Sequence, residues 1–253
     1  KIPMFYTPHG YSFLMENYKP MKRKLFKLIE SVCAKRNCTT ISCSVGENQE
    51  TLKLTRRAIY VNNGINMSEL QEIIDKTEKV QHPFTVYTLG RICYQKNPTL
   101  FNAIAEALPD IKFVWIGDGE LREELKSKNI EITGWADRAT AIRYAVNADV
   151  FLLPSRWEGL PISLLESMYM KKVCVVSNVI GNRDVIHNNE NGFVCSDTEK
   201  FVKAIRKSQS GAERFTAQAY QDVLEKYNTK AMAKQYSEKY DEAINIGGGY
   251  SMS

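Results

Sequence analysis

The chain has 253 residues, 43% of them apolar and 25% charged, with a formal net charge of +5. That is the composition of an ordinary soluble globular protein, long enough for one large domain or two modest ones. The mild positive charge suits an anionic ligand or a membrane surface, or simply reflects surface lysines. It falls short of a nucleic-acid-binding stripe. No apolar run approaches the ~20 residues needed to span a bilayer.

The six cysteines form no CxxC pair and have no metal-ligand spacing with the three histidines, which points to a reduced, cytoplasmic chain. No secretory leader is expected from its residues, and the chain opens on a strand-like run rather than on Met.

Along the first 82 residues, "MFYT", "TTISCS" and "AIYVN" read as strands, with helices at about 22–35 and 68–79. Three strands are few for a doubly wound domain. The segment 1–82 therefore reads as the C-terminal part of a Rossmann-like domain whose first half is missing. The helix near 22–35 begins with Lys19, Lys22, Arg23, Lys24 and Lys27. Such a face is either solvated or rests on anionic lipid, while Leu25, Phe26, Leu28 and Ile29 suit a core equally well.

After the linker "KVQHPF", strands and helices alternate regularly. "FTVYTLG", "KFVWIG", "IEITG", "DVFLLP", "VCVVS" and "GFVC" are β-rich runs. They are separated by the helical patterns "PTLFNAIAEAL", "GELREELKSK", "RATAIRYAVN" and "PISLLESMYM", and followed by "TEKFVKAIRKS". Strand–helix alternation means a parallel sheet with helices on both faces, a second Rossmann-like domain over 83–208. Two helices and a flexible tail, "NIGGGYSMS", are expected over 209–253.

Four strand-to-helix turns of this second domain share one sheet edge, where doubly wound folds bind ligands. The first carries Arg91 and Lys96 before a helix start, two cations suited to phosphate or merely solvated. The second holds Gly117, Asp118 and Gly119. With Arg122 in place of a third glycine, it is a weak dinucleotide fingerprint, and a tight turn explains it equally. The third, with Thr133 and Gly134, leaves room for a flat base or is an ordinary turn.

The fourth turn, "SRWEGLPISLLESM", places Glu158 before a helix and Glu166 about one turn inside it. Pro161 suits the first helical position, and Gly159 permits close approach of a ligand to the amides near Leu160 and Ile162. A carboxylate among Leu164, Leu165 and Met168 is costly unless it faces solvent or a donor.

This ensemble resembles the retaining GT-B glycosyltransferases of the group 1, family 4 type. The resemblance rests on Gly90-Arg91 with Lys96-Asn97, on Gly117-Asp118-Gly119, and on Glu158 to Glu166 as the family's E-x7-E motif. "SNVIGNRDVI" and "NENGFV" match its continuation, and "YTPHGYSF" and "VNNGI" resemble its first-domain motifs. The resemblance implies two Rossmann-like domains and transfer of a hexosyl or N-acetylhexosaminyl unit from a nucleoside-diphosphate sugar, with UDP the commonest carrier. The acceptor would be a glycan or lipid-linked glycan of surface polysaccharide synthesis, such as capsule.

By the same resemblance, Arg91 and Lys96 neutralise the diphosphate, and Glu166 grips the ribose. Glu158 orients the sugar, while the amides of Gly159 and Leu160 contact sugar or phosphate; covalent attack by Glu158 is chemically open, but the family's usual account is departure and attack on one face of the sugar. The turn at Thr133 and Gly134 holds the base, and His9 reaches the donor from the first domain. No metal is required and no nucleic acid is a partner. Peripheral contact with the inner face of the plasma membrane would run through Lys19–Lys27. The family's first domain opens with a glycine-rich loop that is not seen here, so the natural protein is expected to be longer. The competing readings are a nucleotide-sugar-binding module without transferase activity, an NAD-dependent Rossmann enzyme and a GT-B phosphorylase.

Overall fold

The computed structural model describes residues 2–35, 38–211 and 213–247. Its first part runs β1 (Phe5–Tyr6), α1 (Pro20–Ala34), β2 (Thr39–Ser42), α2 (Val45–Leu52), β3 (Ala58–Tyr60) and α3 (Met67–Asp75). The three strands pair in parallel in the order β1-β2-β3.

The second part runs β4 (Thr85–Leu89), α4 (Pro98–Glu106), β5 (Lys112–Ile116), β6 (Ile130–Ile132), α5 (Arg138–Val146) and β7 (Val150–Leu153). It continues with α6 (Ile162–Tyr169), β8 (Val173–Ser177), α7 (Asn182–Val185), β9 (Phe193–Cys195) and α8 (Thr198–Ser208). These strands form one parallel sheet in the order β6-β5-β4-β7-β8-β9. The order grows outward in both directions from β4 and β7, which places a topological switch point between those two strands.

The sheet is buried on both faces because its strands alternate with period two. Tyr87, Val114, Ile116, Phe151 and Leu153 join one apolar cluster with residues of α5, α6 and α9 (Glu213–Lys226). Val86, Phe113, Trp115, Val150 and Leu152 turn the other way, onto Phe101 and Ile104 of α4 and Phe201 and Ile205 of α8. Each strand is a near-continuous apolar run for this reason, as buried parallel sheets require.

After α9, α10 (Thr229–Gly247) returns the chain to the first sheet, where Tyr240 packs on Phe5 with ring centroids 4.8 Å apart. Beside this return, the Ile65 amide donates to the Tyr227 carbonyl at 3.0 Å, and the Thr229 amide donates to the Ile65 carbonyl at 3.0 Å. The tail expected from Asn245 begins inside α10, and from 248 onward it lies outside the described residues.

Two local expectations are corrected, and a third point left open by the sequence is decided. "GELREELKSK" forms only a single 3₁₀ turn, Arg122–Glu124, instead of a helix. Its backbone is committed elsewhere: the Ile92 amide donates to the Asp118 carbonyl, and the Leu121 amide donates back to the Ile92 carbonyl. Further on, the amides of Lys126 and Ser127 donate to Asn102 Oδ1.

Pro161 is the residue before α6, with ψ of 123°, and its carbonyl accepts from the Leu164 amide at 3.2 Å. Ile162, not Pro161, thus takes the first helical position. On α1 the apolar residues Leu25, Leu28 and Ile29 are exposed rather than core, alongside Met21 and Val32. Only Ala34 of that helix is buried, and Phe26 alone of the four named above packs against a small core cluster.

α2 has no counterpart among the expected helices. Its weak apolar pattern hides it, although Ser44 caps it by accepting from the Glu47 amide at 3.1 Å, the local signature of a helix start. α7, one turn long, is likewise new.

Candidate functional site

The loops that follow β4, β5, β6 and β7 meet at one edge of the six-stranded sheet, on both sides of its switch point. Glycines let them pack backbone to backbone. Gly117 has φ of +139°, and a Cβ there would lie 2.2 Å from the Gly90 carbonyl oxygen. That same oxygen accepts from Trp115 Nε1 at 2.9 Å. A Cβ on Gly119 would lie 2.2 Å from the Ile92 carbonyl oxygen. The G-D-G sequence is therefore dictated by close backbone approach. Asp118 caps its own turn, accepting from the Gly119 amide at 2.8 Å, and no α-helix follows it. Thr133 Oγ1 accepts from the Gly117 amide at 3.2 Å and donates to the Gly134 carbonyl at 2.9 Å, which joins the third turn to the second.

These turns enclose an open cavity of about 530 Å³, lined by Leu89, Gly90, Arg91, Gly117, Asp118 and Trp135, among others. The Arg91 side chain is exposed at its rim and pairs with Glu120 at 3.0 Å.

The loop after β4 is tied to the loop after β7. Lys96 Nζ sits 2.7 Å from Glu158 Oε1, and Gln95 Nε2 donates to Glu158 Oε2 at 3.3 Å and to the Trp157 carbonyl at 3.0 Å. Glu158 is only 8% exposed. A carboxylate this buried is costly unless paired, and both of its oxygens have a donor.

Glu166, inside α6, is 3% exposed. The alternative of an exposed stripe is thereby removed. Burial raises its pKa above the ordinary carboxylate value, and the guanidinium of Arg138 opposes that rise. Arg138 Nη1 donates to Glu166 Oε1 at 2.6 Å while its Nε donates to Glu69 Oε1, on α3, at 2.8 Å. Glu158 and Glu166 share no partner: the first holds Lys96 and the second Arg138.

The first sheet closes on this edge from the other side. A Cβ on Gly159 would lie 3.2 Å from Cys43 Sγ and 3.6 Å from both the Gly10 nitrogen and the His9 carbonyl carbon. His9, exposed and at φ of +51°, is thus brought beside the Glu158 loop. Its turn is held by buried Glu47, which accepts from the Gly10 amide at 2.5 Å and from the Cys43 amide at 2.7 Å. Asn63 Nδ2 donates to the Leu160 carbonyl at 3.0 Å. Asp184 Oδ2 accepts from the amides of Gly46 at 3.0 Å and Gly181 at 3.1 Å, one on each side of the cleft.

Arg138, Gln95, Asn63, Glu47 and Trp135 were not singled out in the sequence. Only Glu47 carried a local signal, as the third residue after capping Ser44. Among the described residues no group of three or more His, Cys, Asp or Glu is placed to hold a metal ion. No described helix is long and apolar enough to cross a membrane.

Comparison with known proteins gives a family and a fold. The family model for "Glycosyl transferases group 1" matches residues 69–237. An Escherichia coli UDP-Gal:alpha-D-GlcNAc-diphosphoundecaprenol alpha-1,3-galactosyltransferase is 31% identical over 233 residues, covering 79% of this chain and 58% of that protein. A Campylobacter jejuni alpha-1,4-N-acetyl-D-galactosaminyltransferase, named for a polyprenol-diphosphate-linked acceptor, is 34% identical over 135 residues, covering 47% of this chain and 37% of its own. The chain thus spans well under two thirds of the length of these relatives.

Among solved structures, sucrose-phosphate synthase from Thermosynechococcus elongatus superposes with a TM-score of 0.83 at 15% identity, over 96% of this chain and 68% of that one. Anabaena HepE in complex with UDP and glucose gives a TM-score of 0.77 at 14% identity, over 94% of this chain and 71% of that one. These likenesses establish the GT-B fold, two parallel α/β sheets facing one cleft.

Proposed function

The chain belongs to the group 1 glycosyl transferases, and we propose that it carries the donor site of a retaining enzyme that moves a sugar from a nucleoside-diphosphate sugar to a lipid-linked glycan. The observation that carries this reading is the pair of buried carboxylates, Glu158 on Lys96 and Glu166 on Arg138, beside the glycine-packed cavity at the sheet's switch point.

In this reading the diphosphate lies between Lys96 and Arg91, near the amides of Gly159 and Leu160 at the start of α6. Lys96 is already oriented by Glu158, so it stabilises charge on the leaving diphosphate without reorganising as the reaction proceeds. Glu166 accepts from the ribose hydroxyls, and the turn at Thr133 and Gly134 faces the base. His9 and Glu158 contact the transferred sugar. The bond from the anomeric carbon to the phosphate oxygen breaks with its electron pair on that oxygen. The acceptor hydroxyl oxygen then bonds to the same face of the sugar, and its proton passes to the departing phosphate. No step calls on a metal.

UDP is the first carrier to test, because the Escherichia coli relative is named for a UDP-sugar and the solved Anabaena neighbour holds UDP. The names of the relatives support a polyprenol-diphosphate acceptor, and in our reading the reaction is a step of surface polysaccharide synthesis at the inner face of the plasma membrane. α1 supports that placement through Lys19, Lys22, Arg23, Lys24 and Lys27 beside the exposed Met21, Leu25, Leu28 and Ile29. We assign 1–82 to the acceptor side, 83–208 to donor binding and 209–253 to the C-terminal helices.

Calorimetry with UDP and GDP and their sugars tests the donor site. Binding should be lost in Glu166→Ala and strongly weakened in Arg91→Ala, whereas equal affinity in wild type and both variants would refute it. Binding without transfer to any lipid-linked acceptor would identify a nucleotide-sugar-binding module instead.

A further inference from the structure

We infer that Trp135 is the stacking plate for the nucleobase of the donor, at the rim of the cavity; this rests on the donor-site reading above. Trp135 is 82% exposed, although a folded chain gains by burying so large an apolar ring. It does not lie on a featureless surface. It lines the 530 Å³ cavity together with Leu89, Ile116 and Ala136. An exposed apolar group at the mouth of a preformed cleft marks a place where something else covers it.

The backbone presents this ring rigidly. Gly134 precedes it at φ of +76°, a conformation that side-chain-bearing residues rarely adopt. Two residues after it, Asp137 caps α5 by accepting from the Thr140 amide at 2.7 Å. A tryptophan held between two fixed turns has only two side-chain torsions left to order, so stacking on it costs little conformational entropy.

Its place in the chain fixes what it would meet. Arg138, three residues on, donates to Glu166 at 2.6 Å, and Arg91 lines the same cavity. One turn therefore carries the ring and the cation that positions Glu166, with the exposed Arg91 close by. On the donor-site reading the ring serves the base, the Arg138–Glu166 pair the ribose and Arg91 the diphosphate. Every base has a π-face, so such a plate supplies affinity for a flat ring rather than a reading of its edge.

The test is calorimetry on wild type, Trp135→Ala and Trp135→Phe with UDP, GDP and inorganic pyrophosphate as probes. Removing the plate should weaken UDP and GDP by roughly 10- to 100-fold, the range for loss of one base–aromatic stack. Pyrophosphate affinity should stay within about twofold, and the phenylalanine variant should retain most of the nucleotide affinity. Unchanged nucleotide affinity in Trp135→Ala would overturn the inference and leave the donor site standing. Equal weakening of pyrophosphate would also overturn it, because the ring would then act on the phosphates or on the fold. Failure of the wild type to bind either nucleotide would overturn the donor-site reading, and the plate with it.

Discussion

Replacing Arg138 with alanine removes the guanidinium that favours the charged form of Glu166 against its burial. The carboxylate is 3% exposed and receives a charge-assisted hydrogen bond of 2.6 Å from Nη1. Deleting a donor to a buried charged group costs about 1.5–3 kcal/mol. The Arg138 side chain is itself 43% exposed and shared with Glu69, so solvent screening puts the loss near the lower end, about 1.5 kcal/mol at neutral pH.

For a chain of this size, that loss corresponds to a fall in Tm of about 3–6 °C. The sign of the pH dependence follows from burial. Burial holds the folded-state pKa of Glu166 above its ordinary value of 4.5, and removing Arg138 raises it further. Stability associated with this group is complete below the unfolded value and is lost as pH rises through the folded one. The variant should therefore be clearly destabilised at pH 7.5, and the gap to wild type should narrow as pH approaches 4.5. Thermal unfolding of both proteins across that range reads the effect. A gap of the same size at pH 5 and pH 7.5 would refute the argument, since the loss would then not depend on the Glu166 charge. Donor affinity provides a second readout: the acid limb of UDP binding should move to higher pH in Arg138→Ala.

Two more outcomes follow from the geometry. Gly117→Ala should destabilise the chain by about 3 kcal/mol or more, because it combines positive-φ strain with a Cβ 2.2 Å from the Gly90 carbonyl oxygen. Gly211→Ala, also at positive φ but with open space around it, should cost only about 1 kcal/mol; denaturant melts of the two variants side by side check this. Lys172 donates to the carbonyls of Val146 at 2.7 Å and Ala148 at 2.5 Å, and burial lowers its pKa to about 8 from an ordinary 10.5. The folded chain thus sheds this proton first, so wild-type stability relative to Lys172→Met should rise as pH rises from 8 to 10.5. A difference that stays flat across that window would refute the assignment.

The six-stranded sheet was legible because each strand is a β-branched or aromatic run bounded by turn residues, as in "DVFLLP" and "VCVVS". The segment 119–128 misled because Glu, Leu, Arg and Lys favour a helix locally. What decides it is the pairing of Asp118 and Leu121 with Ile92, about 30 residues away. α2 was missed for the opposite reason: its apolar positions are too few for a periodic pattern, and its cap alone announces it. Glu166 stood out as a carboxylate on an apolar helix, yet its partner Arg138 lies 28 residues earlier with nothing nearby to mark it. The closeness of Lys96 to Glu158, and of His9 to Gly159, likewise depends on how the loops fold back on each other. Residue types were readable locally. Partnerships between positions far apart in the chain were not.

The paired backbone at Ile65 and at Tyr227–Thr229 has a mechanical consequence. The chain leaves the first sheet through one of these passages and returns to it through the other, and the two meet at an isolated parallel bridge between Ile65 and Asn228. A Cβ on Gly64 would lie 2.4 Å from the Asn228 carbonyl oxygen, so the two passages pack backbone against backbone. Any side chain at position 64 would push the outgoing and the returning chain apart, and with it the seam that binds the first sheet to the last helices.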